Sequence, residues 1–358
     1  MADEAKNAQD ESRQAWPFVM TWVGRTTALI GLFASLAGGV TWLVTHHRHA
    51  AERKARMDLA QTQVLQQDYA SAVASYGAIL KDDPSYPPAL DGQLKAAELW
   101  VENFHVAARE DQDLAPAAAA SLDQAMPVLE AGLTRSRGTQ AADVQAHIGW
   151  AHWLNQKLAE REFGPAAEQN LRAALAADPG NVYANAMLGN WVLQNNGSLS
   201  DAVRNFDAAD ATGKARPLVR SLELGGLRYL DKKGARAEQV KVADQMRRNG
   251  EPLDEDWKSE ILGFCFDPTV TEHAELVESL SAVPPDDAWK TYLWLDDRAG
   301  DADNQRLVHE FIQANLLEVS GDRAGALGKF RQLSQELKGS PSTMIDPVNE
   351  AIARLSHA

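Results

Sequence analysis

Residues 26–45 form an unbroken run without a charged side chain, whereas beyond residue 56 apolar positions return every three or four residues among polar ones. As a helix rising 1.5 Å per residue, the first run extends about 30 Å, the thickness of a bilayer's hydrocarbon core. The second pattern is that of amphipathic helices, each burying one face. Together they predict an all-α chain, a single transmembrane helix at 26–45 followed by a helical body.

The flanks of the uncharged run sharpen this. Trp22 and Trp42 stand where indole rings settle at the two membrane interfaces, and Arg25 on one side and Arg48, Arg53, Lys54 and Arg56 on the other close the segment. A cleavable signal peptide is the rival, because Ser35-Leu36-Ala37 forms a small-residue cleavage site after an apolar run; a core helix of a soluble protein is the third reading. The approach, however, contains Asp3, Glu4, Asp10 and Glu11 where a signal peptide needs a short basic stretch, and cleavage would expose an apolar start. A retained anchor is therefore expected. Gly31, Ser35 and Gly39 lie on one face of it, a stripe over which two such helices can approach and form a homodimer. Small residues are also common in membrane helices that do not pair. The four cations after the span against Arg13 and Arg25 before it favour a cytoplasmic body at a bacterial inner membrane, with a periplasmic body left open.

In the body, four stretches resemble one another: "DYASAVASYGAILKDDP" ending at Pro84, "GPAAEQNLRAALAADP" ending at Pro179, "GSLSDAVRNFDAAD" ending at Asp210, and "GDRAGALGKFRQL" ending at Leu333. Each has a small residue, an aromatic or leucine four positions on, and an apolar residue three later, which share one helix face. In the first two, Asp-Pro closes the helix, since proline disfavours helical backbone in the residue before it.

The pattern resembles the second helix of the tetratricopeptide repeat, a 34-residue helix-turn-helix unit. Counted back from Pro84, Leu59, Ala72 and Tyr76 fall at the family's leucine, alanine and aromatic positions; from Pro179, Leu154, Ala167, Leu171 and Ala174 do. Leu188 and Gly189 match the leucine-glycine pair, and Ala202, Phe206 and Ala209 follow one residue late, after an extra turn at Asn195–Ser198. A weaker copy runs through Leu224, Gly225, Ala237 and Met246, and the final one has Leu317, Ala326, Phe330 and Leu333. The resemblance implies a stack of antiparallel helix pairs, an α-solenoid, with a groove for a protein or peptide partner. The expected organisation is a tail at 1–25, the span at 26–45, a basic juxtamembrane helix and first repeat at 46–110, a linker and central repeats at 111–250, and degenerate repeats at 251–358.

Charge narrows the partners. The formal net charge is −15, and residues 1–56 hold seven Lys/Arg against five Asp/Glu, which leaves the rest near −17. Such a surface repels phosphates, so nucleic acid is not an expected partner. The single cysteine, Cys265, excludes an internal disulfide and reads as a small buried hydrophobe between two phenylalanines.

No GxxxxGK[ST], HExxH, GxSxG or GxGxxG motif is present. No catalytic residue, metal ligand or cofactor is expected. Adjacent His46, His47 and His49 point to different helix faces. Asp296, Asp297, Asp301 and Asp303 lack the glycine and distal glutamate of a calcium loop and read as a solvated turn. An enzyme hidden in 251–300 would require a pocket joining that cluster to His273 or His309. Trp100, Trp150, Trp153 and Trp191 read as core. Asn185, Asn190 and Gln194, on a first helix of the array, are the candidate partner contacts. The leading expectation is a non-catalytic, membrane-anchored scaffold or assembly factor; the alternative is a sensory or regulatory subunit dimerising through its span.

Overall fold

The computed structural model describes residues 49–104, 115–159, 165–228, 230–269, 271–297, 302–338 and 342–357. The predicted span, with Gly31, Ser35 and Gly39, lies outside the described residues, as do His46 and His47. Among the described residues every regular element is an α-helix, and none is long and apolar enough to cross a membrane.

The chain divides into two compact units. The first contains α1 (49–65), α2 (Tyr69–Asp82), α3 (Pro87–Glu102) and residues 121–132, where α4 (Ala115–Leu122) ends and α5 (Met126–Arg135) begins. Asp68 caps α2 by accepting from the Ser71 N–H at 3.2 Å, and the helix stops at Asp82 before Asp83-Pro84. At its C-terminal end Arg53 and Arg56 of α1 pair with Asp83 and Asp82 at 2.9 and 2.7 Å. Two of the cations counted toward membrane sidedness are thus tied to the unit's own carboxylates. Leu59 is 53% exposed while Ala60 is fully buried, so the inward register of α1 is one residue later than the repeat alignment implies.

The second unit carries α6 (Gly138–Ala159), α7 (Ala166–Ala177), α8 (Val182–Gln194), α9 (Leu199–Asp210), α10 (Arg216–Leu227) and α11 (Ala235–Asn249). Then come α12 (Glu255–Cys265), α13 (His273–Leu280), α14 (Pro285–Leu295), α15 (Ala302–Val319), α16 (Arg323–Glu336) and α17 (Ile345–His357). From α6 to α10 each helix packs on the next, and α8 packs also on α6 and α10. This is the order of stacked helix pairs, in which no pair can bury its apolar side alone. After α11, which touches α12, α13 and α14, the alternation changes; α13 and α14 both pack on α15, and α15, α16 and α17 follow in series.

The four repeated stretches are α2, α7, α9 and α16. Their small-large-apolar triplets, Ala72/Tyr76/Ile79, Ala167/Leu171/Ala174, Ala202/Phe206/Ala209 and Ala326/Phe330/Leu333, are all buried. Full burial of each large member contributes about 1.5–3 kcal/mol.

The first helices follow a shifted register. A side chain at Gly149 would meet Leu171 of α7 at 3.0 Å, just as one at Gly189 would meet the ring of Phe206 of α9 at 3.0 Å. Gly149 is thus the counterpart of Gly189, and the interval to the second helix is five residues longer. Gly225, aligned with that position in the weaker copy, has open space around it. Replacing Gly189 by valine inserts three carbons against a buried ring. The expected loss is about 1–3 kcal/mol from overpacking, more than the roughly 1 kcal/mol that leaving glycine in a helix interior recovers; urea unfolding followed by circular dichroism measures it.

Candidate functional site

The structure divides the three candidate partner contacts. α8 is enclosed by α6, α7, α9 and α10, which accounts for burial on almost every side. Asn185 is 4% exposed, and its Nδ2 donates to the carbonyls of Pro179 and Asn181 at 3.0 and 2.9 Å. Asn190 is 7% exposed and donates to the Leu222 carbonyl of α10 at 2.7 Å. Asn185 thus secures the start of its own helix, and Asn190 ties α8 to α10. Gln194 is exposed and accepts from Lys157 Nζ at 3.1 Å. With half-buried Tyr183 and Trp191 it forms the open stripe of α8. Trp100, Trp150 and Trp153 are buried; Trp191 is partly accessible.

Cys265 is fully buried, and burial pushes its thiol up to about 12, far from the range of a reactive thiolate. His49 is exposed at the start of α1, 3.8 Å from Glu52.

The aspartate cluster departs from a solvated turn at its first member. Asp296, which ends α14, is buried and lies 2.8 Å from His309 Nε2 of α15, with the Tyr292 hydroxyl at 3.4 Å. Trp289 and Tyr292 meet the His309 ring edge-on at 5.8 and 5.4 Å. A cavity of about 450 Å³ opens beside His309, with Arg306, Glu310, Gln313 and Lys329 on its wall. The described residues lining it supply no hydroxyl or thiol nucleophile. Asp297 is exposed, and Asp301 lies outside the described residues.

Two charge networks are buried. Arg220 of α10 reaches Glu223 at 2.9 Å, Glu251 at 3.1 Å and Asp210 at 3.2 Å, and Arg216 adds a second contact to Glu251. Burial pushes the Glu223 carboxyl up to about 7 against the pull of Arg220. Three carboxylates around one enclosed guanidinium leave an excess of negative charge, which a proton on Glu223 relieves. Asp244 of α11 is fully buried, accepts from Arg247 and from the Thr291 hydroxyl of α14 at 2.7 and 3.0 Å, and pairs with Arg248. Burial opposes ionisation there, but these bonds together hold the carboxyl below its ordinary value.

A different arrangement lies between α13, α15 and α17. Residues spaced three and four apart bring His273 and Leu276, Phe311 and Asn315, and Ala351 and Arg354 to a cavity of about 280 Å³ that Thr271 also lines. Asn315 is 1% exposed; its Nδ2 donates to Phe311 O at 2.9 Å, and its Oδ1 has no partner. Thr271, 8% exposed, has an unpartnered Oγ1. A buried polar group without a partner costs about 1–3 kcal/mol. Sequence reading passed over both, because an asparagine and a threonine 44 positions apart carry no local signal. No protein-family model matches the chain, and no curated protein matches it.

Proposed function

We propose that the chain is a membrane-anchored helical-repeat scaffold that binds a protein or peptide partner without catalysis, tethered by residues 26–45 in a bacterial inner membrane. The observation that carries the reading is the serial packing of α6 to α10, in which every helix rests on its neighbour and α8 bridges α6 and α10. Such arrays combine a rigid apolar interior with an extended surface for a partner. The uncharged run at 26–45 supports the anchor, which would raise the local concentration of whatever is held. Tyr183, Trp191 and Gln194 are the contacts proposed for α8, since aromatic rings with one accessible face serve interfaces well.

A photo-crosslinking residue at Gln194 of the full chain, in intact cells, tests this. The expected result is a discrete heavier adduct in the membrane pellet that resists carbonate extraction and is lost with Trp191→Ala, while helicity is unchanged. An adduct at twice the chain's mass would favour the dimeric sensor instead. Absence of any adduct, or recovery of the chain in the soluble fraction, overturns the scaffold or the anchor respectively.

A further inference from the structure

The turn between α9 and α10 combines strained backbone with one member of the Arg220 cluster. Asp210 ends α9, and its Oδ2 lies 3.2 Å from Arg220 Nη2 of α10. In the connection Gly213 and Ala215 both take left-handed backbone, with φ of 66° and 46°, a conformation that alanine, unlike glycine, rarely adopts. The Gly213 N–H donates to the Asp210 carbonyl at 2.9 Å and the Thr212 hydroxyl to the Ala209 carbonyl at 2.7 Å, which fold the turn back on the end of α9. The Asp210 side chain is what ties that end to α10.

Its contact is the weakest of the cluster. Glu251 accepts from Arg216 at 2.9 Å, Asn249 at 2.8 Å and Arg220 at 3.1 Å, and Glu223 accepts from Arg220 at 2.9 Å. Among the described residues Asp210 has only the 3.2 Å charge contact, in which neither Arg220 Nη2 nor Asp210 Oδ1 has a hydrogen-bond partner. Asp210 is also the most accessible of the three carboxylates, 25% exposed against 13% for Glu251 and 5% for Glu223. A rotation of its side chain therefore reaches water.

A charge count decides which state is closed. Facing Glu223 are Arg220 on its own helix, Asp210 of α9 and Glu238 of α11, and Glu238 is matched by Lys241 at 3.0 Å. α8, which also packs on α10, carries no charged side chain, Tyr183 being its one titratable group. Arg216 and Glu251 complete the set. With a proton on Glu223, two guanidinium groups face two carboxylates; without it, they face three. In an enclosed space the excess charge is expelled at its least held and most accessible member.

From this geometry we propose that Asp210 is a proton-controlled latch on the α9–α10 turn. While Glu223 is protonated, Asp210 stays on Arg220 and the turn is closed; when Glu223 ionises, Asp210 swings to water and residues 211–215 open. The helices persist, and what changes is how firmly one helix pair of the array is joined to the next. Burial places the Glu223 carboxyl at about 7, so the latch works across the neutral range. It stands apart from the scaffold reading, since it uses neither the open stripe of α8 nor the anchor.

Amide exchange of the full-length chain in mild detergent, at about pH 6 and about pH 8 and corrected for the intrinsic acceleration by hydroxide, provides the test. One unit above the midpoint the ionised form outnumbers the protonated one about tenfold, so protection of the 211–219 amides should fall about tenfold while that of α8 is unchanged. Glu223→Gln and Asp210→Asn should each remove the difference, the first by ending the titration, the second by leaving two carboxylates for two guanidinium groups. Asp210→Asn, at the accessible end of the cluster, decides the matter if Glu223→Gln disturbs the fold. An infrared band of a protonated carboxyl, present at the lower pH, gone at the higher and missing from Glu223→Gln, is expected alongside. The latch is overturned if the 211–219 amides lose no more protection than α8, if the loss spreads evenly over the second unit as in global unfolding, or if residues 250–254 open in their place. It fails equally if Asp210→Asn retains the difference.

Discussion

Arg220→Met is expected to destabilise the second unit by about 3–5 kcal/mol, the cost typical of stripping one partner from a buried ion cluster. The side chain is 5% exposed and is the common partner of Asp210 at the end of α9, Glu223 on its own helix, and Glu251 just past α11. Methionine fills a similar volume, so the loss is electrostatic rather than a cavity effect. Asp210 and Glu223 would then lose their common cation while Glu251 keeps Arg216, and burial would force protonation or exposure of Glu223. A second substitution sharpens the expectation: adding Glu223→Leu to Arg220→Met should recover part of the loss, because it removes a charge that otherwise stays buried and unpaired. Urea unfolding gives the totals, and amide exchange along α10 locates the effect, a useful precaution where stacked helices open separately. A change below about 1 kcal/mol for Arg220→Met would show that the cluster is solvated and that its geometry carries little stability.

That cluster also marks where legibility in the sequence stops. The second helices of the repeats were readable because their signal is local. A small residue, a large one four later and an apolar one three later determine a face, and α2, α7, α9 and α16 bury those faces. The first helices were readable as helices but not in register. Their distance to the second helix depends on the connection, so Leu59 and Gly225 were placed one position away from the residues that pack, Ala60 and Gly226. Asn185 and Asn190 read as partner contacts because they are polar, yet α8 is apolar on every other side. A helix of that kind is enclosed, and its few polar groups are used internally. Asp210, Arg220, Glu223 and Glu251 carry only one local hint, the three-residue spacing of Arg220 and Glu223, which is common on solvated faces. Asp296 and His309 are 13 positions apart on consecutive helices and meet only because α14 and α15 pack. Patterns within one helix survive in a single sequence, whereas contacts made by the stack do not.

Glu223 gives the second large expectation, a stability that falls as the pH rises through the neutral range. Burial holds its carboxyl at about 7 in the folded chain, against 4.5 for the same group in water. Between those values the folded state keeps a proton that the unfolded state has released. By linkage, the favourable contribution is complete below about pH 4.5 and lost as the pH passes through about 7, an effect of about 3 kcal/mol at most. Asp244 and Glu251 act in the opposite sense. In both, burial is outweighed by hydrogen bonds that hold the carboxyl below its ordinary value, so their contribution is present above the unfolded value and lost on acidification. The wild-type profile is therefore a sum in which opposing slopes overlap, and the informative quantity is its difference from Glu223→Gln. Glutamine keeps the shape and an oxygen for Arg220 but cannot release a proton. The difference in unfolding free energy should be small near pH 4.5 and grow in favour of the glutamine variant by about 2–3 kcal/mol by pH 8. Urea titrations at half-unit pH intervals measure it. A flat difference would mean that Glu223 is ionised throughout and fully matched by Arg220, in which case Asp210, the least closely held of the three carboxylates, is the group that carries the site's excess charge.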